Sequence, residues 1–145
     1  MLRQKLLRKL AISVITLAII NEIAIFIHWY SLVWWFDMPM HFLGGLTVFY
    51  FCAIIWIPAR KWVSDGRFLF ESIITTVLIG VLWEALELYL YIHYGSPDFI
   101  TLDSMSDVFF DLTGALFAAY CIFPLLYTGG VDRTRDGVVH LLSKK

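Results

Sequence analysis

The stretch "DSMSDVFFDLTGALFAAYCIFPLLY", residues 103–127, decides the fold because a long apolar run follows a series of acids. The acids Asp103, Asp107 and Asp111 are four residues apart and therefore lie on one face of a helix. The apolar run is long enough for a bilayer core, which takes ~20 residues. The stretch therefore predicts a membrane-spanning helix with carboxylates in its first turns.

The composition of the whole chain predicts the same environment. Of its 145 residues, 60% are hydrophobic and only 16% are charged, and the mean hydropathy is +0.77. A soluble domain has about 45–50% apolar and about 25% charged residues. We predict an all-α polytopic membrane protein, with one membrane domain over residues 1–145 that forms a bundle of about four transmembrane helices. The predicted spans are about 10–30, 39–58, 69–92 and 106–127, and residues 128–145 form a tail.

The lysines and arginines predict the orientation of these spans. All 11 lie before the first span, between the second and third spans, or after the fourth. With four spans these regions fall on one side, which the positive-inside rule identifies as the cytoplasm. We therefore expect both termini to be cytoplasmic (N-in/C-in) in a cytoplasmic (inner) membrane. Loops 31–38 and 93–105 then face outward. The first span follows basic residues, as a signal peptide would, but its apolar run is long and we expect it to be retained.

Ionisable residues converge at one predicted depth. The second, third and fourth spans carry them near their outer ends: Asp37 and His41, Glu84 and Glu87, and Asp107 and Asp111. At ~1.5 Å rise per residue, Glu84 and Asp111 both come out roughly 12 Å below the outer helix ends. We therefore expect the three helices to build one polar site.

The cost of burying these acids indicates a role for them. A charge near the bilayer centre costs roughly 2.5–3.5 kcal/mol, and no lysine or arginine is predicted on this side to neutralise it. The acids could be protonated, hydrated in a cavity, or bound to a cation. Carboxylate and imidazole ligands suit a divalent metal such as Zn, Mn or Mg, although the spacing matches no H-E-x-x-H signature. The predicted metal ligands are Asp37, His41, Glu84, Glu87, Asp103, Asp107 and Asp111.

Other interpretations remain open for some residues. Asp103 could cap the fourth span instead, and His41 could serve only as a hydrogen-bond partner of Asp37. In the first span, Glu22 could pair with a histidine or line a cavity. Small residues accompany the acids and let membrane helices approach closely: Gly44, Gly45, Gly80 and Gly114.

Three functional hypotheses follow. In the first, the protein is a metal-assisted hydrolase or transferase acting on a lipid headgroup or envelope precursor, and one carboxylate is the general base. Its candidate catalytic residues are His41, Glu84, Glu87, Asp107 and Asp111. In the second, the acids relay protons or a cation in a transporter, and an oligomer could complete the path. In the third, the protein is a structural or accessory component. Membrane lipids are the expected partners, and nucleic acid is not expected.

Three motifs also carry a family resemblance. The stretches "FDMPMHFLGG" (36–45), "LWEALE" (82–87) and "LDSMSDVFFDLTGAL" (102–116) resemble the YjdF-like family of small bacterial and archaeal inner-membrane proteins. That family is similar in motif pattern to VanZ-like proteins, although Met38 stands where lysine is common in VanZ-like members. The resemblance implies a polytopic membrane protein and no particular activity. The matching positions are Asp37, His41, Gly44, Glu84, Glu87, Asp103, Asp107, Asp111 and Gly114.

Overall fold

Helices account for the regular structure of the chain. The computed structural model describes residues 2–56, 65–94 and 101–142, with side chains from 104 to 126 in the last segment. Within these ranges no strand occurs, which confirms the all-α prediction. The helices are α1 (Leu2–Phe26), α2 (Trp29–Leu32), α3 (Asp37–Trp56), α4 (Asp65–Tyr94) and α5 (Thr101–Leu142).

Four of these helices have the length and composition of membrane spans. They are α1, α3, α4 and the Ser104–Leu126 part of α5. Large apolar side chains such as Ile15, Leu78 and Leu82 are exposed on the outside of the bundle, as expected for surfaces that meet lipid. The polytopic architecture is therefore confirmed. Which end of the bundle faces the cytoplasm stays a prediction.

The first span ends earlier than the sequence predicted. α1 stops at Phe26 rather than near residue 30, because His28 adopts the left-handed backbone conformation, with φ 58°. That conformation breaks an α-helix and turns the chain. The short helix α2 follows, and its aromatic rings pack edge-on against Phe36, with centroid distances of 5.2 Å from both Trp29 and Tyr30.

The central helix is α3, which packs against α1, α4 and most extensively α5. Two glycines permit the close approach of α3 and α5. A Cβ at Gly45 would overlap the backbone carbonyl of Asp111, and one at Gly114 would overlap the backbone carbonyl of Phe42. Small residues at such crossings let two helix backbones come together.

One end of the bundle is packed with apolar side chains and is called the apolar half below. Its largest members are fully buried, including Phe49 of α3 and Phe68 of α4. Helices α1, α3, α4 and α5 all contribute to it, so it joins the four spans. The apolar half consists of Leu6, Phe49, Tyr50, Ala53, Phe68, Ala115, Ala118, Ala119, Ile122 and Leu126.

Candidate metal centre

His41 is the centre of a buried polar cluster. It lies one turn after Asp37 on α3 and its side chain is 9% exposed. Four carboxylates from three helices approach the two nitrogens of its ring within 4.0 Å. We call this set the His41 cluster: Asp37, His41, Glu84, Asp107 and Asp111.

The carboxylates divide between the two ring nitrogens. Nε2 faces three of them, with distances of 3.6 Å to Asp37 Oδ2, 3.9 Å to Asp107 Oδ2 and 4.0 Å to Glu84 Oε1. Among the described residues, Nδ1 faces Asp111, whose Oδ2 lies 3.5 Å away. The ring therefore separates a group of three acids from a single acid on its other side.

The carboxylate of Glu84 is buried in the cluster. The residue is 8% exposed, and neither carboxylate oxygen has a hydrogen-bond partner among the residues that the structure describes. A buried carboxylate without donors loses the hydration that stabilises its charge in water. Nε2 of His41 lies 4.0 Å from Glu84 Oε1.

The position of Asp111 depends on glycines in two neighbouring helices. A Cβ added at Gly80 of α4 would overlap Asp111 Oδ2 and would lie 3.1 Å from its Cγ. Gly45 of α3 leaves room for the backbone of the same residue. The carboxylate thus occupies space that any larger residue at position 80 would fill, which explains how α5 brings it against His41.

A cavity of about 500 Å³ lies beside the cluster. From α3 it is lined by Asp37, Met40, His41, Gly44, Gly45 and Val48. From α4 it is lined by Thr76, Ile79, Gly80, Trp83 and Glu87. Asp111 of α5, Tyr30 of α2, and Leu17 and Asn21 of α1 complete the wall. Its volume lies within the range of small-molecule sites, ~300–1,000 Å³.

Tyr30 connects the short helix α2 to α1 at this cavity. Its hydroxyl donates a hydrogen bond of 2.8 Å to Asn21 Oδ1. Burial, together with the negative charge of Asp37, raises the pKa of the Tyr30 phenol above its ordinary value. The phenol therefore keeps its proton, and its role as a donor, to a higher pH than a free tyrosine does.

The other predicted site residues fall in three places. Glu87 lines the cavity outside the His41 cluster, and it accepts a hydrogen bond of 2.8 Å from Trp83 Nε1. Asp103 lies on α5 one turn before Asp107, but its side chain is outside the described residues. Glu22 is exposed on α1 and is not among the residues that line the cavity.

The sequence did not single out Leu17, Tyr30, Ile79 and Trp83 as parts of the site. A signal was present on α4, where Thr76, Gly80, Trp83 and Glu87 follow the spacing of one helical face. Nothing in the sequence linked Leu17 or Tyr30 to that face, since they come from another part of the chain.

Three residues of the cluster could together hold a divalent ion. One ligand atom each from Asp37, His41 and Asp107 all lie within 4.8 Å of one another. Ligands at ~2.0–2.2 Å from a common ion would lie somewhat closer, which small side-chain rotations can provide. Carboxylate oxygens with one imidazole suit Zn, Mn or Mg.

The comparison with protein families agrees with the membrane architecture. The family described as "Predicted membrane protein (DUF2238)" matches residues 2–127. The chain belongs to this family. The DUF2238 match includes all four candidate spans and every residue of the His41 cluster. No curated protein and no solved structure matches the chain.

Proposed function

We propose that this integral membrane protein binds a divalent cation at the His41 cluster and uses it as a hydrolase or transferase on a lipid headgroup or envelope precursor. The observation that carries the proposal is the approach of four carboxylates to the ring of one buried histidine, within 4.0 Å. With His41 neutral and the acids ionised, the cluster carries four negative charges and no lysine or arginine. A divalent ion offsets half of that charge.

The two sides of the His41 ring suggest different roles. Nε2 with the carboxylates of Asp37, Glu84 and Asp107 supplies a ligand set of one nitrogen and three acids. Glu84 supports this assignment most directly, since its oxygens are buried without other described donors. Asp111 faces Nδ1, where a carboxylate fixes the tautomer and direction of a metal-binding histidine. Asp111 is thus a positioning residue in this proposal.

Glu87 is the carboxylate that the ligand set leaves over. It lines the same cavity and is oriented by the indole of Trp83. We assign it as the general base that takes a proton from the attacking water or hydroxyl group. A divalent ion at the cluster would polarise a phosphoryl or carbonyl oxygen of the substrate.

The membrane orientation in this proposal follows from the distribution of basic residues. With the lysines and arginines in the cytoplasm, the His41 cluster lies toward the outer face of a cytoplasmic membrane. The motifs around Asp37, Glu84 and Asp107 also favour a place among YjdF-like proteins, which are similar in pattern to VanZ-like proteins. An extracytoplasmic site suits an envelope precursor or a lipid headgroup.

A transporter that relays protons or cations is the second candidate. Buried hydroxyls of Ser72 and Thr76 extend from the cavity along α4, which favours it. Both, however, donate to carbonyls of their own helix, Phe68 O and Ser72 O. Beyond them the apolar half is closed by side chains such as Phe49 and Phe68. A site reached from one side of the membrane therefore fits better.

Metal analysis of the purified protein tests the proposal. We expect one divalent ion per chain, measured by mass spectrometry of the metals after purification in detergent. Glu84→Gln and Asp107→Asn should lose the ion. Asp111→Asn should keep it with roughly 10–100-fold lower affinity, as when the orienting partner of a ligand is removed.

Glu71→Gln is the matched control, because Glu71 pairs with Arg67 at 2.8 Å on the same helix as Glu84 but outside the cluster. A folded wild-type protein that binds no Zn, Mn or Mg would refute the metal site. Equal loss of metal in the Glu71 and Glu84 variants would refute the ligand assignment.

A further inference from the structure

The cavity beside the His41 cluster has a polar end and an apolar end. Along α3 its lining begins at Asp37 and His41 and ends at Val48. Along α4 it begins at Glu87 and passes Ile79. The distance from Asp37 to Val48 along α3 is roughly 16 Å at ~1.5 Å per residue. The cavity is therefore an elongated cleft rather than a compact pocket around the acids.

The lining away from the acids is mainly apolar. Leu17 forms it on α1, Val48 on α3, and Ile79 on α4. A ligand made only of polar groups would leave this surface unfilled, whereas ligand sites commonly combine apolar walls with a few polar groups. The arrangement suits a molecule with a charged head and a hydrocarbon tail.

Helices α1 and α4 form opposite walls of the cleft. Each packs against α3, but the two scarcely contact each other. Both are long and apolar enough to cross a membrane. A gap between two such helices can open toward the acyl chains of the bilayer. The cleft is only partly enclosed. A hydrocarbon chain can enter through this gap without passing through water.

We propose that the cleft holds the tail of a single-chain or chain-splayed membrane amphiphile, which enters sideways between α1 and α4 and places a phosphate headgroup at the His41 cluster. The tail site stands on the cleft itself, while the choice of a phosphate headgroup rests on the divalent cation proposed above. Without a cation the acids would repel a phosphate, and with one they bind it through the ion.

Three probes separate the head from the tail. Oleoyl lysophosphatidate carries both, monooleoylglycerol carries only the tail, and glycerol phosphate carries only the head. Binding to the full chain in detergent with Mn²⁺ is measured by native mass spectrometry. We expect one lysophosphatidate per chain, bound at least about tenfold more tightly than either partial probe, because only this probe fills both the polar and the apolar end of the cleft.

Variants of the cleft test where the tail lies. Ile79→Trp fills the cleft and should weaken lysophosphatidate binding by about tenfold or more, because the larger side chain occupies the volume of the tail. Leu78→Trp is the matched control, since Leu78 is 58% exposed on the outside of the same turn. Leu17→Asn on the opposite wall makes the cleft polar without adding volume, and it tests the same site if Ile79→Trp does not fold.

The outcomes separate this inference from the proposed function. The tail site is overturned if glycerol phosphate binds as tightly as lysophosphatidate, or if both cleft variants keep wild-type affinity. An unchanged Mn²⁺ content in either case leaves the metal site unaffected. If the wild-type protein binds no Mn²⁺, the proposed function and the phosphate headgroup are refuted. If Ile79→Trp still weakens the binding of monooleoylglycerol in that case, the tail site is supported.

Discussion

In the apolar half of the bundle, α3 and α5 meet through Phe49, Ala118 and Ile122, which are all fully buried. In the other half the same two helices meet through His41, Asp107 and Asp111, which are buried as well. The first contact stabilises the bundle by close packing, because lipid offers hydrocarbon of similar polarity and only the fit of the side chains distinguishes protein from lipid contacts. The second contact costs free energy, because like charges are brought together away from water.

This difference separates a half that stabilises the bundle from the half that we propose to be functional. A bundle selected for stability alone would continue the apolar packing through the whole α3–α5 contact. The acids and the histidine interrupt it on three helices at once, and the glycines at positions 45 and 80 make room for Asp111. The half that contains the His41 cluster, called the acidic half below, is therefore the candidate site, and the apolar half supports it.

The largest expected effect comes from separating α3 and α5 at Gly45. Gly45→Ala should destabilise the protein by about 3 kcal/mol or more, because its Cβ would lie 2.6 Å from Asp111 Cα and the two backbones would have to separate. Unfolding in mixed micelles with increasing SDS, followed by circular dichroism, measures the change. Gly66→Ala is the control, as nothing lies within 4 Å of its Cβ position. Equal stability of the two variants would contradict the close approach.

A smaller effect is expected from emptying the apolar half. Phe49→Ala should lower stability by about 2 kcal/mol, since a void in a packed interior costs ~24 cal/mol per Å³. The transfer free energy of the removed atoms adds little, because their alternative environment is lipid rather than water. Phe51→Ala, on the lipid-facing side of α3 with 52% exposure, should change the same unfolding transition little. The metal content of the folded Phe49→Ala protein should stay unchanged. A lower content would contradict the separation of the apolar half from the His41 cluster.

The smallest expected effect has the opposite sign. In protein treated with a chelator, Glu84→Gln should increase stability by about 1 kcal/mol. It removes one of three carboxylates within 4.0 Å of His41 Nε2. Each pair of like charges ~4–8 Å apart repels by roughly 0.5–1 kcal/mol even in water. Glu71→Gln should instead lower stability by less than about 0.5 kcal/mol, since it removes an exposed ion pair. A Glu84→Gln protein that is less stable without metal would show that the acidic half contributes to folding.

The sequence predicted the parts of the cluster better than its internal arrangement. The four-residue spacing of Asp37 and His41, and of Asp107 and Asp111, fixes each pair on one helical face, and the structure brings these residues together with Glu84. The prediction for Glu22 was open, and the structure leaves this residue exposed on α1. The break at His28 was missed, because a single residue with positive φ leaves no periodic pattern.

By itself, the sequence determined that this protein is a bundle of apolar helices with acids near one end of three of them. Backbone groups in lipid must be hydrogen-bonded within a helix, and the helical period then fixes which side chains share a face. Only the tertiary structure decided that Asp111 faces Nδ1 of His41 while Asp37, Glu84 and Asp107 face Nε2. It also decided that a cleft separates α1 from α4. The rotation and depth of one helix against another depend on packing between residues distant in sequence, here Gly45 and Gly80 against Asp111.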